Sequence, residues 1–194
     1  MPEPISRRQL FRFKLGDFTR HFKEEKKVLE DAPEAEKKSF RPPGAIADEN
    51  DFLSACLRCP HCADACPHDA ITFLGPAEGR KEGSPVLHPA ESPCHWCVDM
   101  PCIQACPTKA LEHPIENDLT SLLPIGVASI DAEGCLLAQG ILCDTCAVRC
   151  PTHIRAIRMN GRHPVLDATR CTGCGLCAYH CEAEPGAITI TPPF

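Results

Sequence analysis

The 194-residue chain holds sixteen cysteines, and all of them fall into four groups of four. The first group is Cys56, Cys59, Cys62 and Cys66, followed by Pro67. The second is Cys94, Cys97, Cys102 and Cys106, followed by Pro107. The third is Cys135, Cys143, Cys146 and Cys150, followed by Pro151. The fourth is Cys171, Cys174, Cys177 and Cys181, with Glu182 where the others have proline. Thiolates are soft, anionic ligands, and the C-x2-C-x2-C-x3-C-P run of the first group is the spacing that holds a [4Fe–4S] cluster. Four groups with no cysteine left over predict four such clusters, each held by four thiolates. The chemistry this offers is the transfer of single electrons.

Two other uses of many cysteines fit less well. Disulfide scaffolds are typically short and secreted. Zinc sites use paired C-x2-C units separated by a finger loop. The x2-x2-x3-Pro run instead wraps three thiolates round one short loop and sends the fourth elsewhere. Two groups depart from that run. Seven residues, not two, separate Cys135 from Cys143, and this stretch, with Gly140 in it, is expected to loop out while both thiolates stay in place. The alternative is loss of that ligand, leaving a three-iron or differently ligated cluster. The second group has four residues between Cys97 and Cys102, with Met100-Pro101 shaping the loop. His61, His95 and Trp96 sit inside cluster loops. Imidazole replaces thiolate in some iron–sulfur centres, but with sixteen thiolates at hand His95 and Trp96 are expected to shield a cluster from water. Gly173 and Gly175 are expected to bring backbone amides close to the last cluster, since glycine has no side chain. There is no dinucleotide loop, no phosphate loop and no lone cysteine nucleophile. Catalysis by the chain itself is not expected, and oxidoreductase activity would belong to a complex.

The cysteine loops need elements to hold them. Short apolar segments precede and follow the groups at 70–74, 85–88, 110–112, 127–131, 156–159, 164–167 and 187–190. They have strand length and are bounded by Gly, Pro and Asn. Asn160-Gly161 marks a hairpin turn. The recurring unit is strand, cluster loop, short helix, strand. The fold class is α+β, with tandem dicluster units at 52–118 and 119–194. In two-cluster proteins of this spacing the fourth cysteine of one run ligates the other cluster. Pairing 127–131 with 187–190, and 156–159 with 165–167, would build the second unit that way. Its clusters would take Cys135, Cys143, Cys146 and Cys181, then Cys171, Cys174, Cys177 and Cys150. The first unit would use Cys56, Cys59, Cys62 and Cys106, then Cys94, Cys97, Cys102 and Cys66. A nested scheme, first group with fourth and second with third, stands beside this sequential one.

Only 10 residues are aromatic, whereas proline and cysteine together supply 36. Such a chain builds no single large apolar core, and metal binding would add folding free energy. Residues 1–43 carry 11 basic against 8 acidic side chains, a balance of +3, and residues 44–194 carry 9 against 18, a balance of −9. An acidic body argues against a nucleic-acid partner. In the basic arm, 1–32, Phe11, Leu15, Phe18 and Phe22 line one helical face. That face would dock on a partner, on an anionic membrane or on the protein's own cluster body. Residues 33–51 read as a polar linker. Arg7-Arg8 looks like a twin-arginine export signal, but charged residues from Arg12 to Lys23 interrupt the apolar stretch such a signal needs. No run of apolar residues has transmembrane length. Self-directed export is therefore not expected, and the expected location is cytoplasmic, free or membrane-associated.

From Arg41-Pro42-Pro43-Gly44-Ala45 to Ile190 the chain resembles the four-cluster ferredoxin-type proteins of the NapG and MauM kind. The carrying motifs are residues 56–67, Cys94-His95-Trp96-Cys97 with Pro101-Cys102 and Cys106-Pro107-Thr108, the third group with Gln139-Gly140 and Cys143-Asp144, and Cys171-Thr172-Gly173-Cys174-Gly175. The resemblance implies a relay of electrons through [4Fe–4S] clusters, from a quinol-oxidising membrane partner toward a reductase or cytochrome. NapG proteins usually carry a working twin-arginine signal, and the arm here looks more like the cytoplasmic NapF type. A second class of function, a maturation or assembly factor for a redox metalloenzyme, would use the same arm as a docking element.

Overall fold

The computed structural model describes residues 39–113, 119, 122–161 and 163–193. The amphipathic arm expected over 1–32, and the start of the expected linker, lie outside the described residues. Mixed helix and strand content is present, as expected for an α+β chain, but every element is short.

Helix α1, Glu49–Ala55, opens the cysteine-bearing body. Asp48 caps it, its carboxylate accepting from the amides of Asn50 at 2.8 Å and Asp51 at 3.0 Å. Glu49 and Asp51 in the first turn suit the positive end of the helix dipole. The helix buries Phe52 and Leu53 and ends at Cys56, whose extended backbone starts the first cysteine loop. Four one-turn helices follow, one in each cysteine group: α2 His61–Asp64, α3 Pro101–Gln104, α4 Thr145–Arg149 and α5 Leu176–Tyr179. Each carries the third cysteine of its group, Cys62, Cys102, Cys146 or Cys177, so a single turn aims that thiol inward.

The strands pair in three antiparallel two-stranded sheets. Strand β1, Ile71–Phe73, pairs with β2, Pro85–Leu87, in the register Ile71 to Leu87. Strand β3, Val127–Ile130, pairs with β6, Ile188–Thr191, with Ile130 opposite Ile188. Strand β4, Ile157–Asn160, pairs with β5, His163–Leu166, across the Asn160-Gly161 turn, where Gly161 has φ +61°. Both strand pairings expected for the second unit are present.

The segment at 110–112 does not form the expected strand. It makes a single bridge, Leu111 to Ala45, flanked by Ile46 N–H to Ala110 O at 3.2 Å and Glu112 N–H to Gly44 O at 2.8 Å. Pro42 and Pro43 have no amide to donate and Gly44 turns the chain at φ +75°, so the ladder cannot extend. The partner of this strand therefore comes from residues read as linker. Residues 39–48 pack on the first unit: Phe40 bridges Leu87, and Pro42 and Pro43 are fully buried. Arg41 anchors them, donating to Glu49 at 2.5 and 3.1 Å, to Ser84 Oγ at 3.0 Å and to Pro85 O at 2.7 Å. Its guanidinium also lies 4.8 Å from the centre of the Phe52 ring.

Two apolar cores result. The larger gathers Phe52, Leu87, Trp96, Met100, Ile103 and Leu111, and takes in Leu122, Ile125, Cys174 and Leu176 from the second unit. The smaller is built on Ala128, Ile157, Cys177 and Ile188. The units are thus tandem in sequence but share a core.

Candidate metal centres

All sixteen cysteines are free, so the thiols are available as ligands. The structure collects them into four sets, each with three cysteines of one group and the last cysteine of its neighbour. At site one, Cys62 has Cys56, Cys59 and Cys106 as the thiols that act on its charge. Site two is a cavity lined by Cys66, Cys94, Cys97 and Cys102. Site three is lined by Cys135, Cys143, Cys146 and Cys181. Site four is lined by Cys150, Cys171, Cys174 and Cys177. Of the two schemes open to the sequence, the grouping in space is the sequential one; the nested one would need the first group beside the fourth.

Four thiols round a void suit a metal–sulfur cluster better than a single ion. A mononuclear zinc site draws its sulfurs to one point, each about 2.3 Å from the metal. Among the described residues no group of three or more His, Cys, Asp or Glu closes in that way. The donor set is all sulfur, the form that iron–sulfur clusters take.

The local backbone explains how the thiols are aimed. Two residues after the first cysteine, Arg58 and Trp96 adopt φ +56° and +49°. This left-handed conformation is costly for side chains of that size, and it turns each amide back to the sulfur of Cys56 or Cys94, at 3.4 Å in both cases. A second turn follows the fourth cysteine. Asp69, Lys109 and Arg155 have φ between +48° and +58°, and each precedes a buried alanine, Ala70, Ala110 or Ala156. In the fourth group Gly186 and the buried Ala187 hold the corresponding places. The turn delivers an amide to the sulfur: Leu111 to Cys106 at 3.4 Å, Ala156 to Cys150 at 3.2 Å, Ala187 to Cys181 at 3.4 Å. Glu182 in place of proline leaves this turn intact.

The long third spacing also resolves. Ala138, Gln139 and Gly140 donate to the carbonyls of Cys135, Leu136 and Leu137, coiling the insertion into a turn that Gly140 ends at φ +80°. Leu136 and Leu137 line site three, Ile141 and Leu142 face outward, and Cys135 keeps its place beside Cys143.

Burial and neighbouring sulfurs push the thiols up. Desolvation is the larger cause in each case, raising Cys62 and Cys146 to about 11 and Cys102 and Cys177 to about 12. Cys94 is raised further still, again first by burial. Four thiolates held this close repel one another, and a cationic cluster core, when bound, would offset that repulsion and favour the deprotonated ligands.

Trp96 is 1 % exposed and belongs to the larger core, while His95 stacks on His68 with ring centres 3.5 Å apart and both rings line site two. His61 does not line any of the cysteine cavities at sites two to four. Gly173 and Gly175 line site four, as expected, but another need for glycine is the close passage of neighbouring chain. A side chain at Gly173 would strike the backbone of Gly126, and one at Gly175 the carbonyl of Pro89. The sequence reading missed the anchoring by Arg41, the left-handed turns at non-glycine residues and the His68–His95 stack. Only the recurrent alanine four residues or more after each fourth cysteine could have signalled the second of these.

Comparison with known proteins defines the class. Models of the 4Fe-4S dicluster domain match residues 55–110 and 128–182. Two dicluster domains on one chain make this a ferredoxin-type electron-transfer protein with four [4Fe–4S] clusters. The methylamine utilization ferredoxin-type protein MauM of Methylorubrum extorquens is 39 % identical over 172 residues, covering 84 % of this chain and 77 % of the relative. The ferredoxin-type protein NapG of Escherichia coli K12 is 39 % identical over 164 residues, covering 79 % of this chain and 70 % of the relative. NapF of the same organism is more distant, 30 % identical over 154 residues, with 77 % and 83 % covered. No solved structure matches. The chain belongs to the ferredoxin-type NapG/MauM family. Among the described residues no helix is long and apolar enough to cross a membrane.

Proposed function

We propose that this chain relays single electrons from a quinol- or membrane-linked donor to a reductase or other oxidoreductase partner, and performs no substrate chemistry of its own. The observation that carries the reading is the gathering of sixteen free thiols into four sets of four. In the proposed assignment Cys56, Cys59, Cys62 and Cys106 hold the first cluster, and Cys66, Cys94, Cys97 and Cys102 the second. Cys135, Cys143, Cys146 and Cys181 hold the third, and Cys150, Cys171, Cys174 and Cys177 the fourth. When bound, such a cluster accepts and releases one electron. The chain supplies the rest. Amides aimed at the ligand sulfurs stabilise the extra negative charge of the reduced state, and burial opposes it. The crossing fourth cysteines tie each pair of sites together, so each site draws its ligands from both halves of its unit. The donor would reach the protein from a membrane partner, and the proposed location is the cytoplasm, free or membrane-associated.

Anaerobic isolation with iron and sulfide determination tests the cofactor content; about sixteen irons per chain follow from four [4Fe–4S] sites. Single exchanges test the wiring. Cys106→Ser should remove the EPR signal of site one, although Cys106 lies in the second motif, and Cys66→Ser should remove that of site two. Loss of the site belonging to the mutated residue's own motif would refute the assignment, and eight irons or fewer in the parent protein would refute the relay.

A further inference from the structure

Besides sharing a core, the two units touch directly at a pair of cysteine loops. The amide of Cys94, in site two, donates to the carbonyl of Cys174, in site four, at 2.8 Å. His153 Nε2 lies 2.9 Å from the carbonyl oxygen of Trp96, linking the site-two loop also to the turn after Cys150, the other segment that lines site four. Gly175 passes against Pro89 so closely that no side chain fits there. Site four also straddles both cores: Cys174 and Ile154 belong to the larger, and Cys177 and Ile157 to the smaller. The lining of site three has no residue in the larger core.

We infer that the two dicluster units communicate through the Cys94–Cys174 contact, so that the sites stand in the order one, two, four, three and not in chain order. This rests on the reading of the four cysteine sets as cluster sites. Its physical ground is that a direct backbone hydrogen bond between ligand residues is a short through-bond path, and the structure provides one between sites two and four. Sites one and three are then the outer positions, where donor and acceptor would meet the protein.

The test uses the full-length, anaerobically isolated holoprotein. The site-two EPR signal is identified by its loss in Cys97→Ser. Cys174→Ser with Cys177→Ser removes site four, and Cys143→Ser with Cys146→Ser removes site three. In the reduced protein, spin–spin broadening of the site-two signal should weaken in the site-four variant, leaving only the part due to site one, and stay unchanged in the site-three variant. The opposite pattern overturns the order. If the site-four variant also empties site two, Gly175→Ala replaces it, with all sixteen cysteines retained. Hydrogen exchange should then quicken in peptides covering 88–99 and 171–178 together, and the broadening should weaken; unchanged exchange in either peptide overturns the contact. A parent protein without any iron–sulfur EPR signal would defeat the cluster reading itself, while the exchange experiment would still decide whether the loops touch.

Discussion

Replacing Arg41 with methionine should weaken the first unit far more than its place outside the cysteine motifs suggests. Methionine keeps most of the aliphatic packing against Phe52 and removes the guanidinium alone. Four hydrogen bonds are lost, two of them to the Glu49 carboxylate. The Arg41 side chain is only 10 % exposed and that of Glu49 35 %, so water restores part of what the carboxylate loses and little of what Pro85 O loses. Two features limit the damage. Lys81 Nζ stands 3.8 Å from the same carboxylate, and the Ser84 hydroxyl still donates to Lys81 O at 2.5 Å. A hydrogen bond to a charged group contributes about 1.5–3 kcal/mol and losing one partner of a buried pair costs about 3–5 kcal/mol, so Arg41→Met should cost about 3 kcal/mol. For a body of this size that lowers the melting temperature by about 6–12 °C. Anaerobic thermal and denaturant unfolding, followed by far-UV circular dichroism and by visible cluster absorbance, would read it. Because α1 carries Glu49 and runs directly into Cys56, iron should leave site one before the others. Glu49→Gln, which keeps one acceptor, should cost roughly half as much, and the double variant should show coupling of about 1 kcal/mol or more. A cost below about 0.5 kcal/mol for Arg41→Met would refute the anchoring argument.

Gly44 and Gly140 separate backbone strain from crowding. Both have φ near +80°, but a side chain at Gly44 would stand 2.7 Å from Glu112 O and from Ile103 Cδ1, while Gly140 faces open space. Gly140→Ala should cost about 1 kcal/mol and leave site three loaded, whereas Gly44→Ala should cost about 3 kcal/mol in the same unfolding assay. Ala110→Leu should overpack the turn after Cys106, destabilise by about 1–3 kcal/mol and lower iron retention at site one, read by iron determination after dilution. Removal of iron by anaerobic chelation should collapse the tertiary structure, since three two-stranded sheets and two small cores do not stand alone; retention of the native near-UV spectrum in the metal-free protein would contradict this.

The cysteines and their cofactor were legible in the sequence because ligand spacing is local. Three thiols within one short loop reach a common point with little loop-closure cost, whatever the rest of the chain does. The β4–β5 hairpin was legible for the same reason, through Asn160-Gly161. The pairing of β3 with β6 followed from the repeat, even though some 60 residues separate Ser129 from its partner Thr189. The strand at 110–112 was misjudged because its partner is a proline-interrupted segment with no strand pattern of its own. Arg41 was not legible at all, since its partners Ser84 and Pro85 lie more than 40 residues away and nothing local marks them.

By itself the sequence determined the chemistry of the sites: sixteen thiolates, four at a time. Tertiary structure alone decided beside which neighbouring group each last cysteine lies, and that Cys94 meets Cys174. Those choices depend on contacts between loops some 40 to 80 residues apart, where spacing carries no information and close backbone approach, at Gly175 against Pro89, does.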